Sequence, residues 1–341
     1  MFIVRIFKVL LLCVLLALVA FEVYSIIVFN GEGRAELPPN FGNFQRIRDS
    51  LADGRQREQF SFVVVGDTRG HGTFERILEA SGSEPLSFML LLGDCVSYGT
   101  SEWHSYFRSE WAEYGELSFP VFYVVGNHDV YSEMFSIEEF EKNYGPTNFS
   151  FEYQGCLFIV LRVISEAGPA DQACKFLESQ LSGRRNNYRK VFVFMHIPPL
   201  ALPGLPGKHM VNSTAMVSLL DKYQVDYVIA GHYHGYSRTK RKNTVYLTSG
   251  GGGAHLKKNK FGAFHHAIML TVGQDSVSEQ ILYVDRNESV EDSLECFALT
   301  RLYPWLKQNR VLAVALNALI LGACFWLFRA FLKHRWLLPP T

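Results

Sequence analysis

Net charge is the first thing this chain lacks: 33 lysines and arginines are balanced by 33 aspartates and glutamates. Without a basic excess there is no electrostatic footprint for nucleic acid, and no nucleic-acid partner is expected. Six cysteines are present, but their spacing has no zinc-site pattern. Cys13 and Cys324 fall in long apolar runs, while Cys95, Cys156, Cys174 and Cys296 are scattered through the rest. No internal repeat or low-complexity tract is visible apart from the glycine run at 250–253, which excludes a repeat array. What the chain has in plenty is apolar residues, 48% of 341 positions. That is ample for a core and incompatible with global disorder.

The apolar residues are concentrated at two places. Residues 9–29 form a run interrupted only by Glu22 and a few weakly polar positions, long enough to cross a bilayer. Arg5 and Lys8 precede it, as they would in a signal peptide, yet the run continues past a usual h-region without a clean cleavage site, so a retained anchor is expected. Residues 311–328 are broken only by Asn317, lie between Arg310 and the cluster Arg329, Lys333 and Arg335, and read as a second span. The alternative for either run is a helix lying flat at the interface. The chain then divides into an anchor over 1–30, a polar linker over 31–59, a folded domain over 60–295 and a membrane helix with its tail over 296–341. The lipid bilayer is the expected surrounding, and no protein partner is predicted. Basic residues flank both ends of the spans, so they leave the sidedness open. A thiol at Cys95 leans towards a cytoplasmic domain, and sequons at Asn148, Asn212 and Asn287 lean the other way.

Between the runs, strands and helices alternate. Strand character occurs at 62–65, 88–92, 121–125, 156–163, 191–194 and 227–230, then at 245–248, 266–272 and 278–284. Helical stretches occur at 73–80, 171–181 and 213–223. This pattern predicts an α/β domain of two sheets covered by helices. Five polar motifs each follow one of these strands: Gly66-Asp67-Thr68-Arg69, Gly93-Asp94, Gly126-Asn127-His128-Asp129, Met195-His196 and Gly231-His232-Tyr233-His234. Residues distant in sequence therefore converge at strand C-terminal ends, where open α/β sheets place their ligands. Phosphate-ester hydrolysis needs charge neutralisation on phosphoryl oxygens, which two divalent ions about 3.5–4 Å apart supply. Carboxylate, amide oxygen and imidazole are donors such ions accept, and Asp67, Asp94, Asn127, His196, His232 and His234 provide that mixture.

In this order the motifs resemble those of the calcineurin-like metallophosphoesterase superfamily, over roughly residues 60–284. The resemblance implies a pair of mixed β-sheets flanked by helices, with two metal ions at the strand ends. Asp94 would bridge both ions, Asp67 and His234 would hold the first, and Asn127, His196 and His232 the second. His128 would stabilise the transition state or protonate the leaving group, with Asp129 orienting it. Where many members carry Asp-x-His, this chain has Asp67-Thr68-Arg69, and a guanidinium cannot ligate a cation. His71 or a water would fill that place, or Arg69 would bind substrate phosphate through its planar fork, the preferred reading. Mn²⁺ is the first metal to try, with Fe and Zn as alternatives.

The apolar, proline-rich stretch at 197–206 suggests a greasy rim. Arg238, Lys240, Arg241 and Lys242, with Lys257, Lys258 and Lys260, suggest a site for a phosphorylated headgroup or an anionic surface, solvated hairpin ends being the alternative. With two spans, these features favour a lipid-linked phosphate or pyrophosphate, such as UDP-2,3-diacylglucosamine in lipid A synthesis. The alternatives are a tethered phosphatase or phosphodiesterase of soluble substrates and a metal-binding scaffold without turnover.

Overall fold

The described residues of the computed structural model form eleven strands, and the sequence explains which of them are central. The structure describes residues 2–31, 35–51, 57–70, 73–82, 85–167, 171–201, 209–256, 262–285 and 289–335. The strands are β1 (Phe60–Val65), β2 (Leu86–Leu91), β3 (Val121–Tyr123), β4 (Phe149–Tyr153), β5 (Cys156–Leu161), β6 (Lys190–Met195), β7 (Tyr227–Ala230), β8 (Tyr236–Arg241), β9 (Thr244–Ser249), β10 (His266–Val272) and β11 (Val277–Tyr283). They form one sheet ordered β11-β10-β1-β2-β3 and a second ordered β4-β5-β6-β7-β9-β8. The inner strands β1–β3 and β5–β6–β7–β9 run parallel, and their near-continuous apolar runs suit burial on both faces. The outer strands β4, β8, β10 and β11 pair antiparallel. Along the edge strands β4 and β11 buried and exposed positions alternate, as one solvated face requires. The expected class, two mixed sheets flanked by helices, is the observed one.

Phenylalanines from both sheets fill the space between them. Phe62, Phe88, Phe158, Phe192 and Phe194 belong to one buried cluster, with Phe62 edge-on to Phe158 and Phe192 at 5.6 and 5.5 Å. A second cluster lies on the other face of the second sheet, under α6 (Asp171–Leu181) and α7 (Thr214–Lys222). Ala173, Leu177 and Leu181 recur every four residues on α6, which is why one stripe of that helix is buried. The helices earlier in this domain are α2 (Gln45–Ser50), α3 (Phe74–Ala80), α4 (Ser101–Ala112) and α5 (Ile137–Tyr144). A capping box between Ser136 and Glu139 starts α5.

The stretch expected to be a linker is folded over part of its length. Phe41 bridges to Val121 beside β3, and Asn43 donates to the Tyr123 and Pro146 carbonyls and accepts from the Tyr123 amide. With Ile47 and Leu51 in the core between the sheets, residues 40–51 complete an edge of the domain. They read as polar because their apolar residues are sparse, although Phe41, Ile47 and Leu51 are buried and Phe44 partly so.

The chain separates into two units, 36–289 and 1–35 with 290–341. In the second of these, α1 (Phe2–Gly31) and α10 (Arg310–Arg335) are long and apolar enough to cross a membrane. They are joined there by α8 (Val290–Phe297), a π-helical stretch at Ala298–Leu302 and α9 (Tyr303–Gln308). Lys8 stands over the Trp326 ring, and Asn317 donates to the Glu22 carboxylate. Because 8 meets 326 and 22 meets 317, α1 and α10 run antiparallel.

Candidate metal centre

Asp67 and Asp94 follow β1 and β2 in tight turns that hold both residues at positive φ, 60° and 53°. His232, after β7, has φ 64°. Asp and His tolerate this left-handed region better than most residues, and its use at three donor positions marks a turn shaped for the side chains. Gly126 permits a close approach, since a Cβ there would lie 2.3 Å from the Asp94 amide nitrogen and 2.4 Å from Asp94 Oδ1. A side chain at that position would push the Asn127 loop off the Asp94 carboxylate.

Around His196 Nε2 lie Asn127 Oδ1 at 3.1 Å, His232 Nδ1 at 3.2 Å and Asp94 Oδ1 at 3.3 Å. The Leu92 carbonyl is 2.7 Å from His196 Nδ1. A carbonyl only accepts, so Nδ1 carries the hydrogen and the Nε2 lone pair faces the other donors. His234 is set the same way, with Nδ1 donating to the His255 carbonyl at 2.8 Å and Nε2 lying 3.4 Å from Asp67 Oδ1. The donor atoms fall into two groups, Asp94 with His196 and His232, and Asp67 with Asp94 and His234. Asp94 belongs to both.

Bound cations fit these groups. Asp67 Oδ2 accepts from the His232 amide at 2.8 Å, whereas Oδ1 is buried and accepts no hydrogen bond among the described residues. A buried carboxylate oxygen with lone pairs left over is expected where an ion completes its shell. Electrostatics agree. Burial opposes charging of both Asp94 and His196, yet His196, His128 and Arg69 hold Asp94 below the usual carboxylate range, and Asp94 and Asp67 raise His196 to about 9. Such a cluster draws protons onto its own histidine when no metal is there to neutralise it.

His128 and Asp129 occupy different roles. The His128 amide donates to Asp94 Oδ1 at 2.8 Å and its Nδ1 to the Ser97 carbonyl at 3.1 Å, which leaves Nε2 3.9 Å from Asp94 Oδ2 at the mouth of the cluster. Burial lowers its pKa below the ordinary histidine value, against the opposing pull of Asp94. Asp129 does not orient this ring. Its fully buried carboxylate accepts from the amides of Asp94, Cys95, Val96 and Gly126 and from the Tyr123 hydroxyl, tying the loops after β2 and β3 together. Short-range sequence reading links Asp129 to the adjacent histidine; the loop crossing that determines its partners is tertiary.

Arg69 Nη2 donates to Asp94 Oδ2 at 3.0 Å. His71, the other candidate for the vacant first-motif position, lies outside the described residues, as do half of the proline-rich rim (202–206), Lys257, Lys258, Lys260 and the sequon residue Asn287. Tyr98 is half exposed and rests against Trp103. Three of the four basic residues on β8 and its turn are ion-paired, Arg238 with Glu279 and both Arg241 and Lys242 with Asp221. One neighbour of the centre has no sequence signal. Glu166, in the loop after β5, places Oε1 2.7 Å from His232 Nε2.

A two-sheet α/β sandwich with carboxylate, amide and imidazole donors at its strand ends is the architecture of metallophosphoesterases. The chain belongs to the calcineurin-like phosphoesterase family, whose model matches residues 60–236. It is 28% identical over 225 residues to purple acid phosphatase 18 of Arabidopsis thaliana, covering 57% of this chain and 49% of that protein. It is also 28% identical over 163 residues to the serine/threonine-protein phosphatase CPPED1 of Homo sapiens, covering 43% of this chain and 52% of that one. The chain thus spans about half the length of the curated relatives it matches. Among solved structures, GAP50, the anchor in the inner membrane complex of Plasmodium, is similar with a TM-score of 0.53 at 16% identity, over 72% of this chain and 96% of that one. That likeness is one of fold.

Proposed function

We propose that this protein is a metal-dependent phosphomonoesterase carried by a membrane-embedded pair of helices. The observation that supports it is the convergence of Asp67, Asp94, Asn127, His196, His232 and His234 from both sheets into two donor groups sharing Asp94. In this reading Asp67, Asp94 and His234 hold one divalent ion, and Asp94, Asn127, His196 and His232 hold the other. Such a pair neutralises charge on phosphoryl oxygens and acidifies water. The nitrogen and oxygen donors make Mn²⁺ the first ion to test.

The chain's own groups then divide the remaining work. Arg69, beside Asp94, presents guanidinium donors to a phosphoryl oxygen. His128 Nε2, at the mouth, delivers a proton to the departing oxygen while its Nδ1 stays fixed on Ser97. A phosphomonoester is preferred because both named relatives are phosphatases by title.

The two long apolar helices favour one other reading, hydrolysis of a lipid-linked pyrophosphate such as UDP-2,3-diacylglucosamine. The basic cluster on β8 lends it little support, since three of its four residues, Arg238, Arg241 and Lys242, are already paired. Detergent-purified protein with Mn²⁺ separates the two when offered aryl and alkyl phosphates beside UDP-2,3-diacylglucosamine, with Asn127→Ala as the control. Phosphate release that the variant abolishes supports the monoesterase. UMP release without phosphate release would replace it with the pyrophosphatase, and no release from either would leave a metal-binding scaffold.

A further inference from the structure

We propose that Glu166 is a positioning residue for His232, fixing which imidazole nitrogen faces the metal centre. The inference rests on the metal reading of that centre. Three histidines surround it, and two are oriented by backbone carbonyls, His196 by Leu92 and His234 by His255. His232 alone of the three has its outward nitrogen against a carboxylate, Glu166 Oε1 at 2.7 Å from Nε2. With Nε2 donating, Nδ1 is unprotonated and directed at His196 Nε2, 3.2 Å away. A carboxylate behind an imidazole also makes the inward nitrogen more basic, which a carbonyl does less strongly.

The loop is built to hold Glu166 there. It leaves β5, its Val163 carbonyl accepts from the Ile197 amide next to His196, and its Glu166 and Ala167 carbonyls accept from Val211 and from the Asn212 side chain. The carboxylate is partly exposed, 38% of its side chain against 6% for His232. Its place is therefore at the rim, where losing it removes an orienting partner without opening the core. His232 also carries a backbone constraint at positive φ.

The test is Mn²⁺ binding to the full-length protein by calorimetry, on unaltered chain, Glu166→Gln and Glu166→Ala, with the melting temperature of each metal-free protein measured alongside. Loss of an outer partner of a ligating histidine weakens metal affinity about 10- to 100-fold. The expected result is a loss of that size at one of two sites in Glu166→Ala, a smaller loss in Glu166→Gln, which keeps an accepting oxygen, and unchanged melting of the metal-free proteins. Unchanged affinity at both sites would overturn the role, as would an equal loss at both sites accompanied by a lower melting temperature. Failure of the unaltered protein to bind Mn²⁺ would instead remove the metal reading and this role with it.

Discussion

Arg69 donates to the one carboxylate that both donor groups share, Asp94, at 3.0 Å. A fixed cation on the shared ligand competes with a metal for that oxygen and, once a metal is present, is free to meet an anion. Arg69→Ala should raise the KM for a phosphate ester about 10- to 100-fold, the size of a lost charge-assisted hydrogen bond, with metal content undiminished. Arg69→His, which supplies a nitrogen donor beside Asp67 and Asp94, should tighten the weaker Mn²⁺ site in a calorimetric titration. Metal loss in Arg69→Ala would show that the guanidinium holds Asp94 and not the substrate.

His128 leads to a prediction about leaving groups. If its Nε2 protonates the departing oxygen, His128→Ala should lower kcat about 10²- to 10⁴-fold for alkyl phosphates. The loss should be much smaller for p-nitrophenyl phosphate, whose leaving group needs no proton. Burial lowers its pKa, so the rate should fall as pH rises through a value below that of an ordinary histidine, and this limb should vanish in the variant. An equal loss for both substrates at every pH would assign His128 to binding.

Asp129 should behave as a structural residue. Its carboxylate satisfies four amides and a tyrosine hydroxyl inside the core, so Asp129→Ala should cost about 3–5 kcal/mol by leaving buried donors unmade. Urea denaturation of the metal-free protein measures this. Retained stability with lost turnover would return Asp129 to the catalytic role first read from its position beside His128.

Acid sensitivity follows from His104. Its Nε2 donates to the Asp129 carbonyl at 2.7 Å and its Nδ1 accepts from the Tyr144 hydroxyl at 2.8 Å, and burial lowers its pKa to about 3. The unfolded chain binds a proton near pH 6.5 that the folded chain refuses. Stability from this site is therefore fully present above about pH 6.5 and lost as pH falls towards 3, by at most about 1.4 kcal/mol per pH unit. His104→Gln, whose amide keeps one donor and one acceptor, should flatten the stability profile between pH 6 and 4 by one proton's worth. An unchanged slope would refute the assignment.

Several strands were legible because their burial is simple. Residues 227–230 and 266–272 match β7 and β10 to the residue, and the others with a sequence signal differ mainly at their ends. β8 escaped because Tyr-Ser-Arg-Thr-Lys-Arg reads as a basic patch; it is an edge strand whose exposed positions tolerate charge. The six candidate donors converge in space, and each follows a strong apolar strand, which is the signal the sequence carries for them. Glu166 could not, since 66 residues separate it from His232 and nothing local to it signals the meeting. Asp129 shows the opposite error, a true neighbour in sequence bonded elsewhere in space.

The bond between Asn317 and Glu22 joins positions 295 residues apart. On a ribosome, α1 emerges before α10 and carries an acid in an otherwise greasy helix, with its amide partner still unmade until those 295 further positions have been translated. The 36–289 unit is synthesised in the interval. The pairing of the two helices is therefore a late event in biogenesis, one that a truncation after residue 310 would prevent.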